Sequence, residues 1–272
     1  MAGVRGFLAI VIAAGATVSM SGQRAGQPAP LAGLVRQAWT VDGVERSALV
    51  AAPRAAAGGS AAPLVLVFHG HGGTSANAAR TFKMHVAWPE AVVIYPQGLP
   101  TAGQITDPEG HLPGWQHAAG GNGDRDLHFV DAMLEWATAR YSIDAKRIFA
   151  AGHSNGGSMV YVLWAARADR FAAFAPSSSV FPLAAVVSAK PKPAFIVSGR
   201  VDPLVPFATQ QLSLRAVLRL NQASSAAQPW SGGAERHASS IGADVITYIH
   251  PGGHPMPDDA GMLMAKFFRS VK

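Results

Sequence analysis

The sequence predicts an α/β protein, a mostly parallel sheet with helices on both faces. Two short runs, residues 64–68 and 92–95, are apolar throughout, as strands covered on both faces are. Further strand-like runs at 148–151, 171–175, 194–198 and 245–250 alternate with helix-compatible stretches at 127–141, 159–168, 208–220 and 260–269. That alternation is the pattern of parallel strands joined by helices. Between the 148–151 run and its helix lies Gly152-His153-Ser154-Asn155-Gly156, a strand, tight turn and helix that would lift a serine clear of a sheet edge.

Taken in chain order, the first residues have export character. Arg5 supplies positive charge, residues 6–18 form a small apolar core, and Ser19, Ser21 and Gly22 offer cleavage sites. The core is short for a membrane span, so residues 1–22 read as a signal peptide, with a helical N-terminal anchor as the alternative. Residues 23–38 read as a flexible lead-in and 39–272 as one domain. Residues 39–52 suit an antiparallel hairpin turning at Asp42-Gly43, and 55–63 a Gly/Ala loop. Residues 100–125 are rich in Gly and Pro without periodicity, a long loop of the kind that usually serves function. Leu127, Val130, Leu134 and Ala137 then give helical spacing, and Asp144-Ala145-Lys146 turns the chain into the elbow strand. Trp230 falls in a Pro/Ser/Gly loop.

Composition narrows the function. Of 272 residues, 49% are hydrophobic and 14% charged, which excludes a disordered chain and suits one large domain. The net charge of +6 is scattered, with no basic stripe interleaved with aromatics, so nucleic acid is not an expected partner. Stable membrane insertion is not expected either. Cysteine is absent, which excludes disulfides and thiolate metal sites.

A serine is a poor nucleophile at neutral pH without a base in reach and a carboxylate to orient that base. Asp202 follows the 194–198 strand and His254 follows the 245–250 strand. Both sit where loops leave the carboxyl ends of parallel strands, the usual site position in open α/β sheets. Ser154, Asp202 and His254 are therefore the candidate catalytic residues, with Asp244 and Asp258 as competing carboxylates. The developing oxyanion needs N–H donors. Asn155 supplies one, just after the serine, and the glycine-rich loop after residue 68 the other, assigned to His71 with Gly70 as alternative. His69/His71 and His250/His254 lack a helical frame and a companion Glu, so neither a metal nor another cofactor is expected. His153 is expected to pack or hydrogen-bond rather than react.

Five motifs occur in order: Phe68-His69-Gly70-His71-Gly72-Gly73, Tyr95-Pro96-Gln97-Gly98, Gly152-His153-Ser154-Asn155-Gly156-Gly157, Asp202-Pro203-Leu204-Val205-Pro206-Phe207 and Gly252-Gly253-His254. Together they resemble the secreted esterases that include polyhydroxybutyrate depolymerases and feruloyl or acetylxylan esterases. The resemblance spans about residues 40 to 270. It implies an α/β-hydrolase fold and metal-free ester hydrolysis, with Ser154 as nucleophile, Asp202 as acid, His254 as base, and His71 and Asn155 as oxyanion donors. Relatives often carry cysteine at the place of His71, and Trp at the place of Met256. Met256 and Trp115 are thereby the candidate substrate-binding residues, Trp115 as an aromatic face for a sugar or phenolic ring. Trp230 is a lesser candidate for the same cleft. Asp126 and Phe129 resemble the family's acidic-aromatic signature, and Asp126 reads as a helix cap. The expected protein is a secreted or periplasmic serine carboxylic ester hydrolase. Its expected substrates are feruloyl or acetyl polysaccharide esters or hydroxyalkanoate esters, small, oligomeric or polymeric. Rivals are a polyhydroxybutyrate depolymerase proper, a serine peptidase and a non-catalytic carbohydrate-binding pseudoenzyme.

Overall fold

The computed structural model describes residues 31–54 and 60–271. The signal peptide at 1–22, and the lead-in as far as residue 30, lie outside the described residues. A hairpin of β1 (Leu34–Val41) and β2 (Val44–Ala51) pairs in full register with Val41 opposite Val44. Its two turn residues, Asp42 and Gly43, have φ of 51° and 76°, the left-handed pair whose twist matches the strands. The sheet thus begins at Leu34, inside the span read as lead-in. Polar Arg36 and Gln37 mask the alternation there, yet this edge strand needs only one face half-buried.

Six strands form the parallel centre: β3 (Ala62–Phe68), β4 (Val92–Pro96), β7 (Ile143–His153), β8 (Ala173–Ser177), β9 (Ala194–Gly199) and β12 (Val245–His250). Their spatial order is β4-β3-β7-β8-β9-β12. β2 adds antiparallel to β4, and a hairpin of β10 (Gln228–Ser231) and β11 (Ala234–His237) adds antiparallel to β12. Short β5 (Leu99–Pro100) and β6 (Pro113–Gly114) pair with each other at the base of the long loop.

Successive side chains of one strand serve opposite faces. Leu64, Leu66 and Phe68 pack with α3 (Arg125–Arg140), α4 (Asn155–Arg167) and α6 (Phe207–Leu220). Val65 and Val67 pack with α1 (Ser75–Phe82), α2 (Met84–Ala87) and α7 (Ala260–Ser270). A one-turn helix, α5 (Leu183–Val186), follows β8. The predicted helices on both faces are therefore present.

Some boundaries move. β7 already runs from Ile143, through the residues read as a turn. β8 starts two residues later than expected because Phe171 N–H closes a tight turn on Ala168 O at 3.2 Å. The presumed loop around Trp230 is β10, and its indole meets the Phe195 ring edge-on at 5.9 Å. Trp230 is a packing residue of the α7 face, not a cleft residue.

Candidate active site

β7 delivers Ser154 into α4 without a linker. The serine has φ 57° and ψ −122°, a strained backbone of the sort that persists only when its surroundings enforce it. Its N–H donates to Ser177 O on β8 at 2.9 Å. The flanking glycines are a steric requirement. A Cβ on Gly152 would run into the Gly156 carbonyl, and one on Gly156 would strike the carbonyls of Phe68 and His69 at the end of β3. Asn155 opens α4, so its N–H is one of the helix's unpaired first-turn donors, at the positive end of the dipole.

Asp202 and His254, on the loops after β9 and β12, are brought together. His254 Nδ1–H donates to Asp202 Oδ2 at 2.9 Å, the carboxylate being fully buried. Three more donors reach that carboxylate: Leu204 N and Val205 N on Oδ1 at 2.9 Å each, and Gln210 Nε2 on Oδ2 at 3.1 Å. Burial pushes the carboxyl up, but the bonds from Val205 N, His254 and Leu204 N outweigh it and hold it below the usual carboxylate range. An ionised Asp202 accepts only, so His254 carries its proton on Nδ1 and presents Nε2 as an acceptor. Ser178, after β8, donates its Oγ to the His254 carbonyl at 3.0 Å. The competing Asp244 lies at the opposite end of β12, paired with Arg236 at 2.6 Å.

The loop after β3 is held by two histidines that point apart. His69 is buried. Its Nδ1–H donates to Gly70 O at 2.7 Å and its Nε2 accepts from Gly98 N at 3.0 Å. Burial pushes its pKa down to about 4, so the ring is a neutral strut. His71 Nε2 meets Asp107 Oδ2 on the long loop at 3.1 Å. Among the described residues His71 N–H has no recorded acceptor. His153 packs 4.9 Å from the His254 ring and meets Ser177 Oγ at 3.2 Å. Burial, aided by His254, pushes its pKa to about 4.

Trp115 departs from its expected role. It is 1% exposed, donates Nε1–H to His69 O at 2.8 Å and meets Phe68 edge-on at 5.1 Å. Its indole anchors the long loop from beneath and offers no face to a substrate. The Asn155 side chain grips the same residue, accepting from Trp115 N at 2.8 Å and donating to Trp115 O at 3.2 Å. Met256 is also corrected. It is 8% exposed and packs into the α7 face of the core. Asp126 is no helix cap but half of a fully buried ion pair, Arg46 Nη2 to Oδ1 at 2.7 Å. Its Oδ2 accepts from Gln116 N at 2.8 Å, and Arg46 lies 4.3 Å over the Phe129 ring.

A cleft of about 540 Å³ opens over this assembly, lined by Ser154, His254, Asn155, Gly70 and His71. The long loop adds Gln104, Ile105, Thr106 and His117 to one side, and Val180, Pro182 and Leu204–Pro206 close the other. Leu204–Pro206 fall in the quoted motif that begins at Asp202, though no binding role is read from it, while the other wall residues and Ser178 escape motif reasoning. Their signal is position alone, on loops at the carboxyl ends of β4, β8 and β9. Among the described residues, no Lys, Arg, Asp or Glu lines the cleft, no three His, Cys, Asp or Glu converge as a metal would need, and no helix is long and apolar enough to cross a membrane.

Residues 114–192, which include the elbow, match the Prolyl oligopeptidase family. Feruloyl esterase D of Neurospora crassa is 29% identical over 162 residues, covering 57% of this chain and 54% of the relative. The chain spans about half the length of such curated relatives, or less. Among solved structures, an acetyl xylan esterase from Aspergillus awamori superposes with TM-score 0.57 at 17% identity, over 86% of this chain and 99% of that one. A Pyrococcus horikoshii acylaminoacyl peptidase gives TM-score 0.59 at 14% identity, over 89% of this chain and 42% of that one. Sheet order and the superposed structures give this chain the α/β-hydrolase fold, and the proteins it resembles in sequence include named esterases.

Proposed function

We propose that the chain is a serine carboxylic ester hydrolase that works through an acyl-serine intermediate. The observation that carries this reading is one cleft lined by both a serine on a strained elbow and a histidine hydrogen-bonded to a buried carboxylate. Ser154 Oγ attacks the ester carbonyl as His254 Nε2 takes its proton. His254 then protonates the leaving alcohol, and water activated by the same ring releases the acid. Asp202 stabilises the imidazolium, and the N–H groups of Asn155 and His71 receive the developing oxyanion. Feruloyl or acetyl groups on polysaccharide, or hydroxyalkanoate esters, suit a cleft whose walls mix apolar and hydroxyl side chains. The export character of residues 1–22 supports action outside the cytoplasm, testable by N-terminal sequencing of the protein recovered from its host.

The second reading is a serine peptidase, favoured by the family match over residues 114–192. Recognition of a charged peptide terminus needs an ion partner at the cleft, and its lining offers no carboxylate, lysine or arginine. Ester substrates fit better. Turnover of p-nitrophenyl acetate by wild type and by Ser154→Ala decides the mechanism. Loss of a triad nucleophile costs on the order of 10⁴ to 10⁶ in kcat. A pure mutant that keeps more than about a tenth of the rate removes Ser154 from the reaction. No turnover by wild type of any ester or aminoacyl amide favours the non-catalytic carbohydrate binder.

A further inference from the structure

The long loop is a hairpin whose base is β5 and β6, and whose tip is organised on Asp107. That residue has φ 57°. Its carbonyl accepts from Gly103 N at 3.0 Å and Gly110 N at 3.1 Å. Its carboxylate accepts from His111 N at 3.1 Å and Leu112 N at 2.8 Å. Those bonds, the Leu112 one foremost, hold the carboxyl below the usual carboxylate range. The tip is therefore internally rigid. Its attachment to the rest of the protein is sparse by contrast. From Gly103 to His111 the only hydrogen bond recorded to a residue outside the hairpin, among the described residues, is His71 Nε2–H to Asp107 Oδ2 at 3.1 Å.

That one bond joins two functional parts. His71 belongs to the glycine-rich loop facing Ser154, while the tip brings Ile105 and Thr106 to the cleft wall. Ile105 is 60% exposed despite lining a cleft. Nothing in the core holds it, and its position depends on the tip. Opposite stand Leu204 and Val205, of which Leu204 is 43% exposed. Two exposed aliphatic side chains, on the loops after β4 and β9, line one cleft without charged lining and together can clamp an uncharged, apolar group.

We infer that Asp107 is a specificity-determining positioning residue: by latching the hairpin tip onto His71 it sets Ile105 against Leu204 to grip the apolar group of a neutral ester. The inference rests on the ester-hydrolase reading above and adds which part of the substrate the wall selects. Asp107 touches no reacting atom; it acts through the placement of Ile105.

The test compares kcat/KM for long and short esters in two series, p-nitrophenyl hexanoate against acetate, and hexyl butyrate against methyl butyrate. One apolar contact of this size discriminates by about 10-fold or more. Asp107→Ala and Ile105→Ala are each expected to lower the long-to-short ratio about tenfold in at least one series, mainly through KM. Asp107→Asn, with its oxygen in the place of Oδ2, gives up the His111 amide but still accepts from Leu112 N and from His71 Nε2–H, and should restore most of it. Ratios within twofold of wild type in both series for Ile105→Ala overturn the clamp. An Asp107→Ala that melts like wild type yet slows long and short esters equally overturns the latch. If Asp107→Ala fails to fold, Ile105→Ala with Asp107→Asn decides the matter alone. Failure of the ester-hydrolase reading looks different, since it appears as turnover that survives Ser154→Ala whatever stands at 107.

Discussion

Replacing Asp202 by Asn keeps the shape of the side chain and removes its charge, and the surroundings of the carboxylate dictate the outcome. Oδ1 receives two backbone amides, from Leu204 and Val205, so an Asn oxygen has every reason to stay there. The Asn NH2 must then occupy the place of Oδ2, facing Gln210 Nε2 and His254 Nδ1. Two donors now face the amide. Gln210 has a way out, because its Oε1 is buried with no partner and could turn toward the Asn, at the cost of its 2.7 Å bond to Val205 O. His254 can only move its proton to Nε2, the tautomer that cannot accept from Ser154. Loss of the correct tautomer and of the charge behind the imidazolium lowers kcat by about 10² to 10⁴, with little change in KM. Stability should change its pH dependence as well. The folded Asp202 carboxyl lies below its unfolded value, so its contribution is present above the unfolded pKa and is lost as pH falls through the folded one. In Asp202→Asn that part of the acid-side loss of stability disappears. Steady-state kinetics on p-nitrophenyl acetate and thermal melts from pH 3 to 7 read both effects on one sample. A kcat within about tenfold of wild type would refute the tautomer argument. So would a crippled Asp244→Asn beside a healthy Asp202→Asn, which would move the acid to another strand.

Arg46→Ala strands Asp126 as an unpaired buried charge and should cost about 3 to 5 kcal/mol in urea unfolding, the usual penalty for half a buried pair; a loss below about 1 kcal/mol would show the pair to be solvated. Trp115→Phe leaves His69 O without its donor and should cost about 1 to 3 kcal/mol, while KM for methyl ferulate relative to p-nitrophenyl acetate stays put; a selective rise in the ferulate KM would return the indole to the substrate. Exhaustive EDTA treatment should leave turnover intact, and loss reversed by added Zn²⁺ would reinstate a metal role.

The parallel core was legible because burial on both faces writes itself as unbroken apolar runs, and the runs at 64–68 and 92–95 are too short for buried helices. The elbow was legible because steric exclusion at Gly152 and Gly156 leaves only one residue type possible. The short helix α1 went unread although Thr74 caps it through Asn77 N at 3.1 Å, because its buried stripe of Ala78, Ala79 and Phe82 is short and mostly alanine. The β10–β11 hairpin carried a usable signal in Gly232-Gly233, both at positive φ, but Pro229 beside Trp230 reads as loop. The tryptophan and methionine assignments failed for one physical reason. Resemblance gives a residue a neighbourhood, and burial then decides which way its side chain faces. For Trp115 and Met256 it faces the core. Of the walls that do meet the cleft, Ile105 sits in a segment without periodicity where no pattern marks it, and Leu204 sits in a motif that was read for Asp202 alone.

The misreadings of Trp115 and Asp126 share an explanation with the success at the elbow. Asn155 sits directly after Ser154, and its side chain holds both backbone polar groups of Trp115. Trp115 in turn holds the carbonyl of His69, at the start of the glycine-rich loop. Gln116, the next residue, is held by Asp126, which Arg46 neutralises from the edge hairpin. A continuous set of buried polar contacts therefore runs from β2 to the nucleophile, and of its side-chain polar atoms only Arg46 Nε is left without a partner. Such a network is rigid when complete and costly when broken. It lets a loop with little secondary structure behave as part of the scaffold up to Ala102, where His117 Nε2 makes the last attachment at 3.0 Å. Beyond that point, among the described residues, only the bond between His71 and Asp107 remains to hold it. The division between scaffold and selectable wall thus falls within a single loop, where hydrogen bonds to the core run out rather than at any boundary of strand or helix.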